Sequence, residues 1–315
     1  MLSLLACVSM PAFACAQGMG NMQMPQMGPV MGATSPNAAA SADPPLAVNE
    51  SYVSFLDSAV PRNIFMLRFD GAYNNRQPAR AGYLFPNGGM PGTPGFQSPE
   101  TRVDTLQLTS VAEYSLLPYF SVFMEAPYRW INPEVNPNQN GAGDISYGFK
   151  LCTWSSDGLI ATILFRVYQP TAVHEALGTG HWRLEPGLLV DYQISPSFRL
   201  EGEFRYWTQL GSSDFGGDFL RYGLGLSYGA RKAGFWFVPV AEAVGYSILS
   251  GKTMQAFSPE AYIIQDARGE CIVNTYLGLH LGYGPNIDLY MGYGRSLTGD
   301  FWNRDTYRVE LRLLY

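Results

Sequence analysis

The stretch FRLEGEFRYWTQ, residues 198–209, decides the fold. Its alternate positions want different surroundings: Phe198, Leu200, Gly202, Phe204 and Tyr206 interleave with Arg199, Glu201, Glu203, Arg205, Trp207 and Gln209. Successive side chains of a strand point to opposite faces, so one face of this segment seeks an apolar environment and the other water or ion pairs. A second sheet in a soluble sandwich could also cover the apolar face, so alternation by itself does not separate a sandwich from a membrane barrel.

Loop lengths separate them. Units of about ten residues with alternating polarity, closed by turn residues, repeat to the end of the chain. They read as strands at 63–73, 102–115, 119–129, 144–153, 159–169, 181–194, 198–209, 218–228, 235–249, 271–283, 287–296 and 306–315. The connections alternate without a break. Short ones fall at 116–118, 155–158, 195–197, 230–234 and 284–286, and long ones at 74–100, 131–141, 170–180, 211–217, 250–269 and 297–305. Short periplasmic turns and longer outside loops are the habit of outer-membrane barrels, and a Greek-key sandwich has no reason to sort its loops this way. The expected fold is therefore an all-β, antiparallel, up-and-down transmembrane β-barrel of about twelve strands over residues 63–315, with both ends in the periplasm. Pro239 lacks a ladder donor, and a bulge is expected there.

Composition agrees. Charged residues are 15% of the chain, against roughly 25% in soluble domains. Apolar residues reach 47% and aromatics 14%, yet no uninterrupted apolar run is long enough for a transmembrane helix. A net charge of −6 argues against nucleic acid as a partner. The final strand, YRVELRLLY at 307–315, puts Tyr307, Val309, Leu311, Leu313 and Tyr315 on one face and ends on an aromatic. That ending resembles the signal by which Gram-negative outer-membrane proteins are handed to their assembly machinery, so the expected partners are that machinery and the lipid bilayer.

Ahead of the barrel, residues 1–16 read as a signal peptide, with an apolar stretch from Leu2 to Met10 and an Ala14-Cys15-Ala16 cleavage site before Gln17. A basic n-region is missing. Ala14-Cys15 reads alternatively as a lipoprotein cleavage site with Cys15 lipidated, although Phe13 is unusual there. Residues 17–48 form a Met-, Pro- and Gly-rich leader without periodicity, expected to be disordered. Its methionines at 19, 22, 24, 27 and 31 could hold Cu(I), but no Cys or His stands among them, and the tether reading is preferred. Residues 49–62 read as a short helix or plug. Asn49 is the N-cap, Tyr52, Phe55, Leu56 and Ala59 share one face, and Pro61 is the stop. Such a helix could cap the periplasmic mouth or lie beside it. Cys152 and Cys271 fall near opposite ends of the barrel, so no bridge between them is expected.

Three pieces carry a resemblance: LLPYFSVFMEAPY at 116–128, GAGDISYGFKL at 141–151 and GTGHWRLEPGLLVDYQIS at 178–195. They resemble the family of outer-membrane channels named for the MetA pathway of phenol degradation. The segment SFLDSAVPRNIFMLRFDGAYNNRQPAR at 54–80 resembles the opening of barrels of this type from planctomycetes. The resemblance implies a barrel and a transport role, and supplies no binding residues.

The inward face of strands six and seven gathers Arg183, Glu185, Asp191, Arg199, Glu201, Glu203 and Arg205, and strand twelve adds Arg308, Glu310 and Arg312. Paired carboxylates could do glycosidase chemistry, but a general acid needs a raised pKa, and interleaved arginines hold carboxylates ionised. An ion-pair network in the lumen is the favoured reading, with a charged constriction that filters solutes as its functional form. His174, His181 and His280 show no metal-ligand spacing, although His174, Glu175 and His181 could meet at a surface site. GYGPN at 282–286 is a turn and no phosphate loop, because no helix follows. No Ser–His pair suits a barrel phospholipase. Neither a catalytic residue, a metal nor a cofactor is expected. Inward Phe123, Tyr168, Trp207, Tyr276 and Tyr290 narrow a lumen that is already small at about twelve strands. The expected function is an outer-membrane channel or transporter for small solutes, apolar ones included. The alternative is a structural or surface-interaction barrel without solute flux, acting through its long loops.

Overall fold

The computed structural model describes residues 51–315 apart from 77–78, 81–95, 97, 157, 212–215, 233–234, 259 and 300. The signal peptide, the methionine-rich leader and the question of Cys15 lie outside the described residues. Twelve long strands form the wall. They are β1 (Ile64–Asn75), β2 (Val103–Leu117), β3 (Phe120–Pro133), β4 (Ile145–Ser156), β5 (Leu159–Gln169) and β6 (Trp182–Gln193). The second half holds β7 (Phe198–Leu210), β8 (Phe219–Tyr228), β9 (Phe235–Ile248), β10 (Cys271–Tyr283), β11 (Ile287–Ser296) and β12 (Asp305–Leu314).

Each strand pairs antiparallel with its neighbours in the chain, and the last returns to the first, from Ile64↔Leu314 to Tyr73↔Asp305. Closure is what the environment demands: an open edge in hydrocarbon would leave backbone groups unpaired at several kcal/mol each. The long connections carry a little structure of their own. Lys252–Ser258 and Ala261–Asp266 form a hairpin joined by Ala79–Arg80, and Glu175–Leu177 makes one 3-10 turn. Cys152 and Cys271 are free thiols.

The alternation in β7 holds as expected: Phe204 is 52% exposed, whereas Glu203 and Arg205 are 6% and 1% exposed. Around the wall the exposed side chains form an apolar band, including Leu67, Leu188, Leu224, Leu277 and Leu311. Exposed aromatics sit at both ends of it. Tyr119, Trp154, Phe198, Tyr228, Phe235 and Tyr283 ring the short-turn end, with the cross-strand pairs Phe198–Tyr228 and Phe235–Tyr283 both at 4.8 Å. Tyr73, Tyr128, Trp130, Tyr293 and Tyr307 ring the long-loop end. Two aromatic girdles flanking an apolar band are the membrane signature of such barrels, because amphipathic rings settle at the lipid–water boundary.

Two expectations need correction. The bulge at Pro239 is absent: β9 pairs with β10 straight through Pro239↔Leu279. On its other side the pairing stops at Ser227↔Val240 and resumes at Ala230↔Phe237 in unchanged register. The missing amide interrupts the ladder locally; the adjacent Gly229 N–H donates to Ser197 O at 2.8 Å. The expected helix over Asn49–Val60 is also not formed by its described residues, 51–60. Residues 51–60 are bends and irregular chain, lying inside the barrel with nearly every residue buried.

Replacing Phe204 by Arg should cost about 2–4 kcal/mol of barrel stability, the penalty for a cation at the lipid face near mid-membrane, whereas Phe204→Leu should fold like the parent. The fraction running as the compact, heat-modifiable band after refolding into vesicles measures both. Equal folding of the two variants would mean that this face does not meet lipid.

Candidate functional site: a plugged lumen beneath an external cup

Residues 51–60 enter from the short-turn end and fill that half of the lumen. With no secondary structure of their own, their backbone groups need partners, because an unpaired buried amide or carbonyl costs free energy comparable to a lost hydrogen bond. The wall provides charged ones. Glu242 of β9 accepts three consecutive amides, from Ser54 at 3.1 Å and from Phe55 and Leu56 at 2.9 Å each. Glu201 accepts from the Tyr52 amide at 3.2 Å and from the Ser51 hydroxyl, and Glu203 accepts from the Asp57 amide at 3.0 Å. Cations take the carbonyls: Arg312 donates to Val53 O at 2.8 Å, Arg308 to Ser54 O at 2.6 Å, and Arg221 to Phe55 O. His280, held by Asp288 at 2.8 Å, reaches Tyr52 O, and Thr162 donates to Ala59 O.

Apolar packing completes the seat. Phe55 stacks on Tyr276 with centroids 3.6 Å apart, and the Arg308 guanidinium lies 3.9 Å from the Phe55 ring centroid. Tyr52 meets Trp236 edge-on at 5.8 Å. On β8, Gly223 and Gly225 face inward. A Cβ at Gly225 would stand 2.6 Å from a Val53 methyl, and one at Gly223 would strike Leu56. These glycines are sockets for the plug. Beside it, toward β1–β5 and β12, lies a void of about 40 Å³.

Asp57 anchors the plug by charge: its carboxylate meets Arg205 at 2.7 Å and Arg166 at 2.9 Å. Burial pushes this carboxyl up, but Arg166 and Arg205 outweigh it and hold the group well below the usual carboxylate range. The contribution to seating is therefore present above the ordinary carboxylate pKa and is lost only as the pH falls through the lowered value.

Toward the long-loop end the lumen widens into a cavity of about 370 Å³, with Phe55 of the plug in its floor. Its lining is two-sided. Trp207, Phe219, Tyr246 and Tyr276, with Tyr168 and Trp302, supply aromatics from β5 and β7–β10 and the last long loop. Thr105, Gln107 and Thr109 of β2, with Ser146 and Thr306, supply hydroxyls and an amide from the other side.

The family model "Putative MetA-pathway of phenol degradation" matches residues 99–303. The chain belongs to this family. An outer membrane channel from Pseudomonas putida F1 has the same fold, with a TM-score of 0.54 and 11% identity over 84% of this chain and 100% of that one. The NanC porin is a looser likeness, with a TM-score of 0.45 and 10% identity over 79% and 100% of the two chains. The translocator domain of the autotransporter NalP from Neisseria meningitidis gives 0.46 and 14% identity over 83% and 91%. Among curated proteins no sequence matches the chain. A closed barrel, its lipid-facing band and the family together make this an outer-membrane protein.

The ten charged positions from Arg183 to Arg312 singled out in the sequence lie on the inner face of this family member's wall. Asp191 pairs with Arg199 at 2.7 Å near the short-turn end. Glu185 and Glu203 surround Arg205 at 2.9 and 3.1 Å. Glu310 lies between Arg312 at 2.5 Å and Arg308 at 3.8 Å, and Arg308 also bonds Asp70 at 2.6 Å. Arg183 lines the cup. Glu201, expected among the strand arginines, instead serves Ser51 and Tyr52 of the plug. Sequence reasoning missed Glu242, Arg166, Glu125, Arg68, Asp288 and the Glu113–Lys150 pair at 2.8 Å. All occupy the inward phase of their strands, so the same count by twos would have found them. Asp57 carried no periodic signal at all. Among the described residues no cluster of metal-ligating side chains is present; His174 instead caps the 3-10 turn by accepting from the Ala176 amide.

Glu242→Ala should release the plug, because three buried amides would lose one acceptor at a cost of about 1–3 kcal/mol each. Chymotrypsin should then cut near Tyr52, Phe55 or Leu56 in the variant and spare the wild type, with the barrel itself intact in both. Equal resistance would mean that the wall does not hold the plug through Glu242.

Proposed function

We propose that the protein is an outer-membrane channel or transporter for small solutes, which enter the external cup and pass when the segment 51–60 leaves its seat. The observation that carries this reading is the division of the lumen: a cavity of about 370 Å³ on the outside and, beneath it, a segment held by side chains rather than woven into the wall. A merely structural barrel would gain more from packing its lumen with its own apolar side chains than from many buried charges, whose desolvation offsets much of their attraction. Family membership and the shared fold of the Pseudomonas putida channel agree with the reading.

In this proposal Arg183, Glu185, Asp191, Arg199, Glu201, Glu203, Arg205, Arg308, Glu310 and Arg312 form a charged constriction with two duties. They grip the plug while it is seated, and they line the path once it moves, where side-chain charge sets selectivity. With twelve strands the open path stays far narrower than that of the 16- to 18-stranded porins. The second reading, a barrel that acts through its outer loops without flux, draws support from the exposed Phe257, Tyr262, Ile263 and Ile264 of the Lys252–Asp266 hairpin.

Planar-bilayer recording separates the two. Wild type should conduct little and Glu242→Ala should conduct steadily; silence in both, with the plug shown to be released, would discard the channel reading. In the conducting background, Glu201→Gln with Glu203→Gln should move the reversal potential in a salt gradient toward anion preference, since the lumen loses two negative charges and Arg205 and Arg221 lose Glu203. An unmoved potential would assign these charges to plug retention alone.

A further inference from the structure

The cup's two walls differ in chemistry, and the difference identifies a ligand class. The aromatic side is continuous: Tyr168–Trp207 centroids are 5.0 Å apart, Trp207–Phe219 4.6 Å and Tyr246–Trp302 4.6 Å. Rings at the lipid boundary are explained by the membrane, but these face the lumen, where a barrel is otherwise polar. The opposite side has no comparable surface. On β2, six strands away from β8 in the ring, Thr105, Gln107 and Thr109 occupy successive inward positions, flanked by Ser146 of β4 and Thr306 of β12.

The charges of the cup are largely engaged with protein groups. Arg308 bonds Asp70 at 2.6 Å, Arg221 bonds Glu203 at 2.6 Å, and Glu125 is shared by Arg68 at 3.0 Å and Arg166 at 3.2 Å. Asp144 accepts from the Thr179 amide at 2.7 Å and the Ala172 amide at 3.2 Å. A strongly ionic solute would have to break these pairs. What the lining offers is an apolar plane on one side and a row of hydroxyls on the other, where Thr109 accepts from the Gln107 side-chain amide at 2.9 Å and retains its own O–H.

We infer that the cup is a saccharide-binding site, taking a neutral mono- or disaccharide with one ring face against Trp207 and its hydroxyl edge toward Thr105 and Thr109. A pyranose has this shape: C–H bonds present an apolar face, and hydroxyls project around its edge. A flat aromatic acid matches the rings but leaves the threonine side without partners, and a polar group that loses water without gaining a partner is penalised. The cavity's size, near the lower end of ligand pockets, suits a single small molecule. This inference rests on the channel reading but is tested without reference to flux.

Tryptophan emission of the folded, full-length barrel in detergent is followed during titration with glucose, maltose and lactose, and separately with benzoate. At least one sugar should give a saturable change. Thr105→Val with Thr109→Val keeps every fluorophore and nearly the same shape, and it should weaken that response about tenfold, the scale of one or two lost hydrogen bonds. Trp207→Leu should weaken it as well, read through Trp302. Benzoate saturation with silent sugars overturns the inference, as does a sugar response that both variants leave unchanged. Either result can coexist with conductance in Glu242→Ala, so failure of the ligand class is distinguishable from failure of the channel.

Discussion

Backbone amides and carbonyls that water cannot reach must find partners inside the protein, and this requirement organises the molecule twice. In the wall it forces twelve strands to close, with β12 returning to β1. In the lumen it governs residues 51–60, which belong to no sheet and so draw their partners from side chains. The two solutions differ in kind. A ladder is cooperative and gives way as a whole, whereas the plug is held by discrete side-chain contacts to Glu242, Glu201, Glu203, Arg312, Arg308 and Arg221.

That distinction explains why so many charges are tolerated at membrane depth. Arg205 is 1% exposed and Glu310 is fully buried, and groups of this kind are costly unless paired and hydrogen-bonded. They are mutually paired, along one strand as in Glu310–Arg312 or across strands as in Arg205–Glu185, and further donors and acceptors of these clusters turn to the plug. Arg312 shows both roles, bonding Glu310 and the Val53 carbonyl with the same nitrogen. Buried ion pairs stabilise little in net terms, but they fix geometry. Here the geometry they fix is that of a segment seated in the lumen rather than woven into the wall.

The wall was legible in the sequence because two independent signals coincide there. Alternation by twos assigns faces, and the sorting of loops into short and long requires an even, up-and-down ring. Even the inward set from Arg183 to Arg312 follows from phase alone. The conformation of the plug is not legible for a definite reason: Tyr52, Phe55, Leu56 and Ala59 recur at helical spacing, yet that periodicity reflects sockets on two sides of a lumen, Phe55 against Tyr276 and Leu56 against the inward Gly223. Local propensity loses to tertiary partners when carboxylates such as Glu242 compete for the amides a helix would use. Pro239 was over-read in the same way, since a missing donor breaks one link of a ladder without shifting its register. Contacts 150 to 259 residues apart in the chain leave no local trace.

Those separations bear on how the molecule can be built. The plug precedes β1, yet its partners lie on β5, β7, β8, β9, β10 and β12, and Arg312 stands three residues from the end of the sequence given. Pairings between distant parts of a chain form late, because ordering the intervening residues opposes them. The last strand therefore completes two events together: it seals the seam with β1 and fastens the segment that begins the described chain. A barrel that sealed first would have to thread Phe55 and Leu56 past its own arginines afterwards. Folding order is thus written into the position of one strand, which must gather the beginning of the barrel before it can become its end.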